Sequence, residues 1–232
     1  MPNTENNNTN TVVDRVVNGI VNEIISGRIK PGDKLATEGE LSQQFGAGRN
    51  SVREAVKMLQ AFGVVYIKRA DGTYVSSSYD RKMLDPMLYS MILQPNSKND
   101  FVDLRAMIDI GVLNVIIQRK DLSNFLPGIY LTFGELTAEL HAEHPDPDKV
   151  IELDNCFHSK IASAAQNPMI KTMVEYINRL TLPSRTETTC RVIESGDIED
   201  FVALHRELIN VIEERRVNDI TKVVYDHYVY WK

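Results

Sequence analysis

The stretch Thr37-Glu38-Gly39-Glu40-Leu41-Ser42-Gln43-Gln44-Phe45-Gly46-Ala47-Gly48-Arg49-Asn50-Ser51-Val52-Arg53-Glu54-Ala55-Val56 decides the fold. Its first residues form a capping box: the Thr37 hydroxyl can accept the Glu40 backbone N–H, and the Glu40 carboxylate can reach back to Thr37. The helix so opened carries Leu41 and Phe45 and stops at Gly46, where a missing Cβ permits a left-handed end. Ala47-Gly48 leaves room for only a tight turn. A further helix follows, with Val52, Ala55, Val56 and Leu59 as its apolar stripe. Two helices joined by so short a glycine turn make a helix-turn-helix pattern.

Working outward, Val13, Val16, Val17, Ile20, Val21 and Ile24 follow helical spacing, Gly27 ends that helix, and Pro31-Gly32-Asp33 makes a turn. Downstream, Gly63 closes the third helix. Val64 to Lys68 and Thr73 to Val75 are β-rich and flank Ala70-Asp71-Gly72, a hairpin with Asp-Gly at its tip. This is a winged head over residues 12–76. Residues 1–11 hold five asparagines and read as a disordered tail, and Ser76-Ser77-Ser78 opens a linker, taken as 77–82.

Net charge is −6, which suits a nucleic-acid binder badly until it is divided. Residues 1–75 carry nine basic and eight acidic side chains, so the −7 remainder lies in the second part. Arg49, Arg53 and Lys57 lie four apart and share a helix face distinct from the apolar stripe, and Lys68 and Arg69 precede the wing tip. A basic stripe can be merely a solvated face. Together with the capping box, glycine turn and wing, it reads as a surface for phosphate and base edges, with Arg49, Asn50 and Ser51 at the helix N-terminus.

Pro31-Gly32-Asp33-Lys34-Leu35, Glu38, Glu40-Leu41, Arg49-Asn50-Ser51-Val52-Arg53-Glu54-Ala55 and Gly72-Thr73-Tyr74-Val75 resemble the signature of GntR-type bacterial transcription regulators. The resemblance implies that Arg49 and Arg53 read an operator, that Asn50 and Ser51 add contacts, and that the wing from Arg69 to Gly72 touches the minor groove. Lys57 and Lys68 join them on charge and position. Two positions depart from the pattern. Gly39 stands where an arginine is common between the two glutamates, and Ala70 stands where a wing glycine is usual.

Residues 83–232 read as helices throughout. Stripes appear at Phe101/Leu104/Ile108/Val112/Val115 and Leu126/Ile129/Tyr130/Phe133/Leu140, and Asp146-Pro147 and Asn167-Pro168 are cap-plus-proline starts. The expected fold class is therefore mainly α, a winged helix-turn-helix followed by an all-α bundle. All five histidines lie in this second part. His141 and His144 fall near a helix end and read as surface residues. His158, His205 and His227 each sit in an apolar stripe, and Asp154 precedes His158 by one turn. Cys156, midway between those two, points away from their face. Singly, each histidine could be a hydrogen-bonded core residue, and Asp154 could be only a helix partner. Collectively, a buried carboxylate and three inward imidazoles are answered at once by a metal ion. Zinc is the first choice, with nickel, iron and manganese also suited.

The spacing Asp154-x-x-x-His158, then His205 and His227, resembles the metal-binding pattern of the FCD-type effector domain in the FadR-like branch of those regulators. In that domain an arginine on the first long helix meets an effector carboxylate, which implies Arg105 here, with Arg185 a weaker second. Arg105 alone could equally be a salt-bridged or solvent-reaching side chain.

Apolar residues are 43% and charged residues 25%, no apolar run reaches the ~18 residues of a membrane span, and the two cysteines, Cys156 and Cys190, have no ligand spacing. The expectation is a cytoplasmic homodimer with no membrane partner, binding double-stranded operator DNA and a small organic or sugar acid that alters operator affinity, with repression as the default and no enzymatic activity. A metal-dependent hydrolase fused to a DNA-binding module, or a sensor of the metal ion itself, are the alternatives.

Overall fold

A computed structural model of the chain describes residues 11–78, 93 and 98–231. The chain divides into two compact units, Met1–Gln94 and Pro95–Lys232. The expected tail 1–11 and linker 77–82 lie outside the described residues, apart from 11 and 77–78.

The first unit is a winged helix-turn-helix built of α1 (Val12–Ile25), α2 (Glu38–Phe45), α3 (Arg49–Ala61), β1 (Val65–Lys68) and β2 (Gly72–Val75). Both α1 and α2 begin with a capping box, Thr11 with Asp14 and Thr37 with Glu40. Gly46 ends α2 at φ +55, in the left-handed region where a Cβ is penalised. Val16, Ile20, Leu41, Val52, Ala55 and Leu59 pack into one core. The wing is an antiparallel pair in register Val65↔Val75, and the Lys34 segment pairs with β2 on its other edge through Leu35 N–H to Thr73 O (2.8 Å). Ser76, the last residue of the expected head, is tied to it: its N–H donates to Val64 O and its hydroxyl to Gly63 O.

The second unit is all-α among its described residues: α4 (Lys98–Ile117), α5 (Leu126–Leu140), α6 (Pro147–Ala164), α7 (Pro168–Leu180), α8 (Leu182–Ser195), α9 (Ile198–Glu213) and α10 (Ile220–His227), with a last 3-10 turn at Val229–Trp231. The starts of α6 and α7 are those expected. Asp146 accepts from Asp148 N–H, Asn167 accepts from Met169 N–H, and a proline follows each. The main core draws on α4, α5, α6, α9 and α10.

One expectation needs correction. Of the expected stripe Val112 is buried, while Phe101, Leu104, Ile108 and Val115 are only half-buried; the rest of the buried face of α4 is Val102, Arg105, Ala106, Leu113, Ile116 and Ile117. Apolar residues occupy more than half of this helix's circumference, so periodicity alone does not single out the inward side. Arg105 belongs to that buried face. No helix among the described residues is long and apolar enough to cross a membrane.

Candidate nucleic-acid interface and metal centre

In the head, α3 and the wing enclose an open groove of about 470 Å³ lined by Arg53, Lys57, Lys68, Arg69 and Gly72, together with Glu38 of α2. Arg49 and Asn50 are exposed in the first turn of α3 and Ser51 is half-buried there. The residues named from sequence thus fall on α3 and on the wing beside it. Glu38 was visible only as part of the motif. It takes the Arg53 guanidinium on both oxygens, with Nε at 3.1 and 3.2 Å and Nη2 at 2.8 Å. Arg53 first, and then Arg49 and Lys57, hold the Glu38 carboxyl below its usual range. Lys68 lies over the Tyr74 ring at 4.3 Å, and Lys34 Nζ reaches the wing-tip Asp71 at 3.0 Å. Ala70 adopts φ +60, so the wing keeps the left-handed turn that a glycine would make more cheaply.

In the body, α6 presents Asp154 and His158 inward, α9 presents His205, and the C-terminal end of α10 presents His227, all four buried. One ring nitrogen from each histidine lies within 4.8 Å of the others. His158 Nε2 and His227 Nε2 are 3.2 Å apart; Asp154 Oδ1 is 2.8 Å from His205 Nε2 and 3.5 Å from His158 Nε2. Asp154 Oδ2 is taken by the Arg185 guanidinium, whose other arm holds Asn155. Cys156 is exposed, pointing away as expected, and so are His141 and His144.

The donor set fits a metal on an observation independent of spacing. His205 Nδ1 lies 2.8 Å from the Phe201 carbonyl oxygen, which can only accept, so Nδ1 carries a proton. That bond fixes the ring so that Nε2 faces Asp154 Oδ1 at 2.8 Å, the orientation in which the two can share a cation. The His158 and His227 Nε2 atoms likewise face one another, at 3.2 Å. Burial pushes His158 and His227 down, and the neighbouring imidazoles push His227 further, so both are neutral as ligands must be. Burial works against an ionised Asp154, but the Arg185 guanidinium outweighs it and holds the carboxyl well below its usual range. His227 Nδ1 has no hydrogen-bond partner among the described residues.

Arg105 is fully buried. Its Nε donates to Tyr228 Oη at 2.8 Å and its Nη1 to Thr181 Oγ1 at 3.1 Å, while Tyr228 Oη in turn donates to Asp109. Nη2 of Arg105 and Nε of Arg185 have no partner among the described residues. Two buried cations with spare N–H groups suit an anion. A separate small cavity, lined by Asp109, His158, Ile161 and Leu208, measures about 10 Å³, room for about one water. Asp109, Tyr228 and Thr181 were missed from sequence. The only signals were an acid one turn after Arg105 and a tyrosine beside His227.

Residues 12–75 match the profile of bacterial regulatory proteins of the gntR family, and residues 133–229 match the FCD domain. HTH-type transcriptional regulator LutR of Bacillus subtilis (strain 168) is 26% identical over 71% of this chain and 73% of its own length. The galactonate operon transcriptional repressor of Escherichia coli (strain K12) is 24% identical over 72% of each. Among solved structures, Streptococcus agalactiae GntR shares the fold with a TM-score of 0.59, at 22% identity over 94% of this chain and 97% of that one.

Proposed function

The chain belongs to the GntR family of bacterial transcription regulators, with an FCD domain as its second half, and from that premise we propose that it is a cytoplasmic operator-binding repressor whose FCD domain holds a divalent metal, zinc first, and senses a small organic acid. The observation that carries the sensing half is the convergence of His158, His205 and His227 with Asp154 against two of them.

In this reading two copies bind a palindromic operator, one α3 in each major groove. Arg49, Asn50, Ser51 and Arg53 meet base edges, and Lys57, Lys68, Arg69 and the backbone at Gly72 meet phosphates and the wing's groove. The metal, when bound, supplies a Lewis-acid centre for carboxylate or hydroxyl oxygens. Arg105 and Arg185 supply the counter-charge. A hydroxy acid such as that named for the galactonate relative has both kinds of oxygen.

In this reading the acid-bound body differs in packing from the acid-free one. That difference is what ligand binding needs if it is to shift operator affinity, since a ligand acts only through unequal affinity for two states.

Metal analysis of protein purified without added metal, followed by gel-shift titration with hydroxy acids at fixed zinc, tests the whole reading. One ion per chain and acid-dependent operator release are expected. Release by chelator alone assigns the signal to the ion, and turnover of the acid makes the body an enzyme. A chain that takes up no metal overturns the sensing half.

A further inference from the structure

Arg53 is held before any DNA arrives. Its guanidinium has two useful edges, the Nε–Nη2 side and the Nη1–Nη2 end. Glu38 accepts on both oxygens from the first, at 2.8 to 3.2 Å. The Nη1–Nη2 end, the fork that pairs with guanine O6 and N7, is left for another partner. Glu38 is itself fixed: it is the first residue of α2, directly after Thr37 of the Thr37–Glu40 capping box, and Leu41 of α2 packs into the same core as Val52 of α3. Both side chains line the groove between α3 and the wing.

An exposed ion pair of this kind contributes little to folding. It does restrict a side chain that otherwise loses much rotamer freedom on binding. It also puts a carboxylate in a surface that must meet phosphates, alongside Arg49 and Lys57. A negative charge placed there weakens contact with any DNA, so its use lies in discrimination.

We infer that Glu38 is a positioning residue for operator reading: it buttresses the Nε–Nη2 edge of Arg53 so that the Nη1–Nη2 fork meets a guanine, giving base preference at the expense of sequence-independent affinity. This rests on the DNA-reading assignment of α3. A carboxylate also accepts from cytosine N4, so the same group penalises a phosphate or keto oxygen in that position.

The test is selection from a random-sequence duplex library with full-length wild type, Glu38→Gln, Glu38→Asp and Arg53→Ala, alongside affinity for an unselected duplex. Wild type should enrich a guanine that Arg53→Ala no longer prefers. Glu38→Gln should lose about tenfold of that preference, the order of one bidentate contact, while binding the unselected duplex as tightly as wild type or more so. Glu38→Asp keeps the charge but falls short by one methylene, and should lose the preference too. A Glu38→Gln chain that enriches the same guanine as wild type, or that loses specific and unselected binding equally, overturns the buttress while the DNA-reading assignment stands. A wild-type chain that enriches nothing overturns both.

Discussion

Arg185 closes on Asp154 Oδ2 and leaves Oδ1 to His205 and His158. One carboxylate therefore joins a buried cation to the imidazole cluster, and its two roles are separable. Asp154→Asn removes the counter-charge of an interior guanidinium, a loss of about 3–5 kcal/mol, or a melting temperature lower by roughly 10 °C for a chain this size. It should also lower metal content. Asp154→Asn combined with Arg185→Leu removes the stranded charge, so stability should return in part while metal content stays low. Thermal melts with metal analysis of both variants check this; equal metal in all three chains would remove Asp154 from the centre.

Acid should destabilise the metal-free body. His158 and His227 have folded pKa values below the ordinary imidazole value. The unfolded chain then binds more protons, so this stability is complete above about pH 6.5 and declines as pH falls below it. Asp154 is also depressed, and its share is lost only in the carboxylate range. Melting temperature measured from pH 7.5 to 5 should fall for chelated protein, and zinc, which competes with protons for the same nitrogens, should hold it up at the upper end of that range. A flat profile for the chelated chain would mean the imidazoles are not held neutral.

The head was legible because its signals are local. The capping box at Thr37, the left-handed Gly46 and the Asp-Gly wing tip each act within a few residues, whereas the box that Thr11 forms with Asp14 was not read, Thr11 falling in the expected tail. The histidine cluster was legible because each imidazole interrupts an otherwise apolar stripe. What could not be read depends on distant partners. The α4 register was lost because apolar residues surround that helix, and Tyr228 and Thr181 meet Arg105 only through tertiary packing, across as many as 123 residues of sequence. The Arg53–Glu38 pair spans 15 residues and two helices, so helical spacing on α3 alone leaves it out.

Gly39 gives a gain-of-contact prediction. A Cβ there would meet nothing closer than Thr37 Oγ1 at 4.0 Å, and the position lies in the first turn of α2 beside the groove-lining Glu38. Gly39→Arg adds a cation without a clash and replaces glycine in a helix. If the side chain reaches a phosphate, the slope of log affinity against log salt steepens by about 0.9. Filter binding or fluorescence anisotropy on one duplex over a salt series reads the slope directly. An unchanged slope would place α2 away from the DNA backbone.

Arg105 separates metal holding from acid sensing. Its Nε and Nη1 engage Tyr228 and Thr181, and Nη2 is unpaired among the described residues. Arg105→Lys keeps the charge but cannot span these partners and present a further N–H at once. None of the imidazoles bonds to Arg105, so metal content should be unchanged. The acid concentration for half-maximal operator release should rise about tenfold or more, the worth of a charged hydrogen bond being roughly 1.5–3 kcal/mol. Tyr228→Phe tests the other side of the same contact. It leaves Arg105 Nε and Asp109 each short of a bond, at a cost of about 1–3 kcal/mol in stability, with the guanidinium itself intact. Acid titrations of operator release, run beside metal analysis and melts, distinguish the two. Operator release by the Arg105→Lys variant at the wild-type acid concentration would exclude Arg105 from the acid site and leave Arg185 as the remaining candidate.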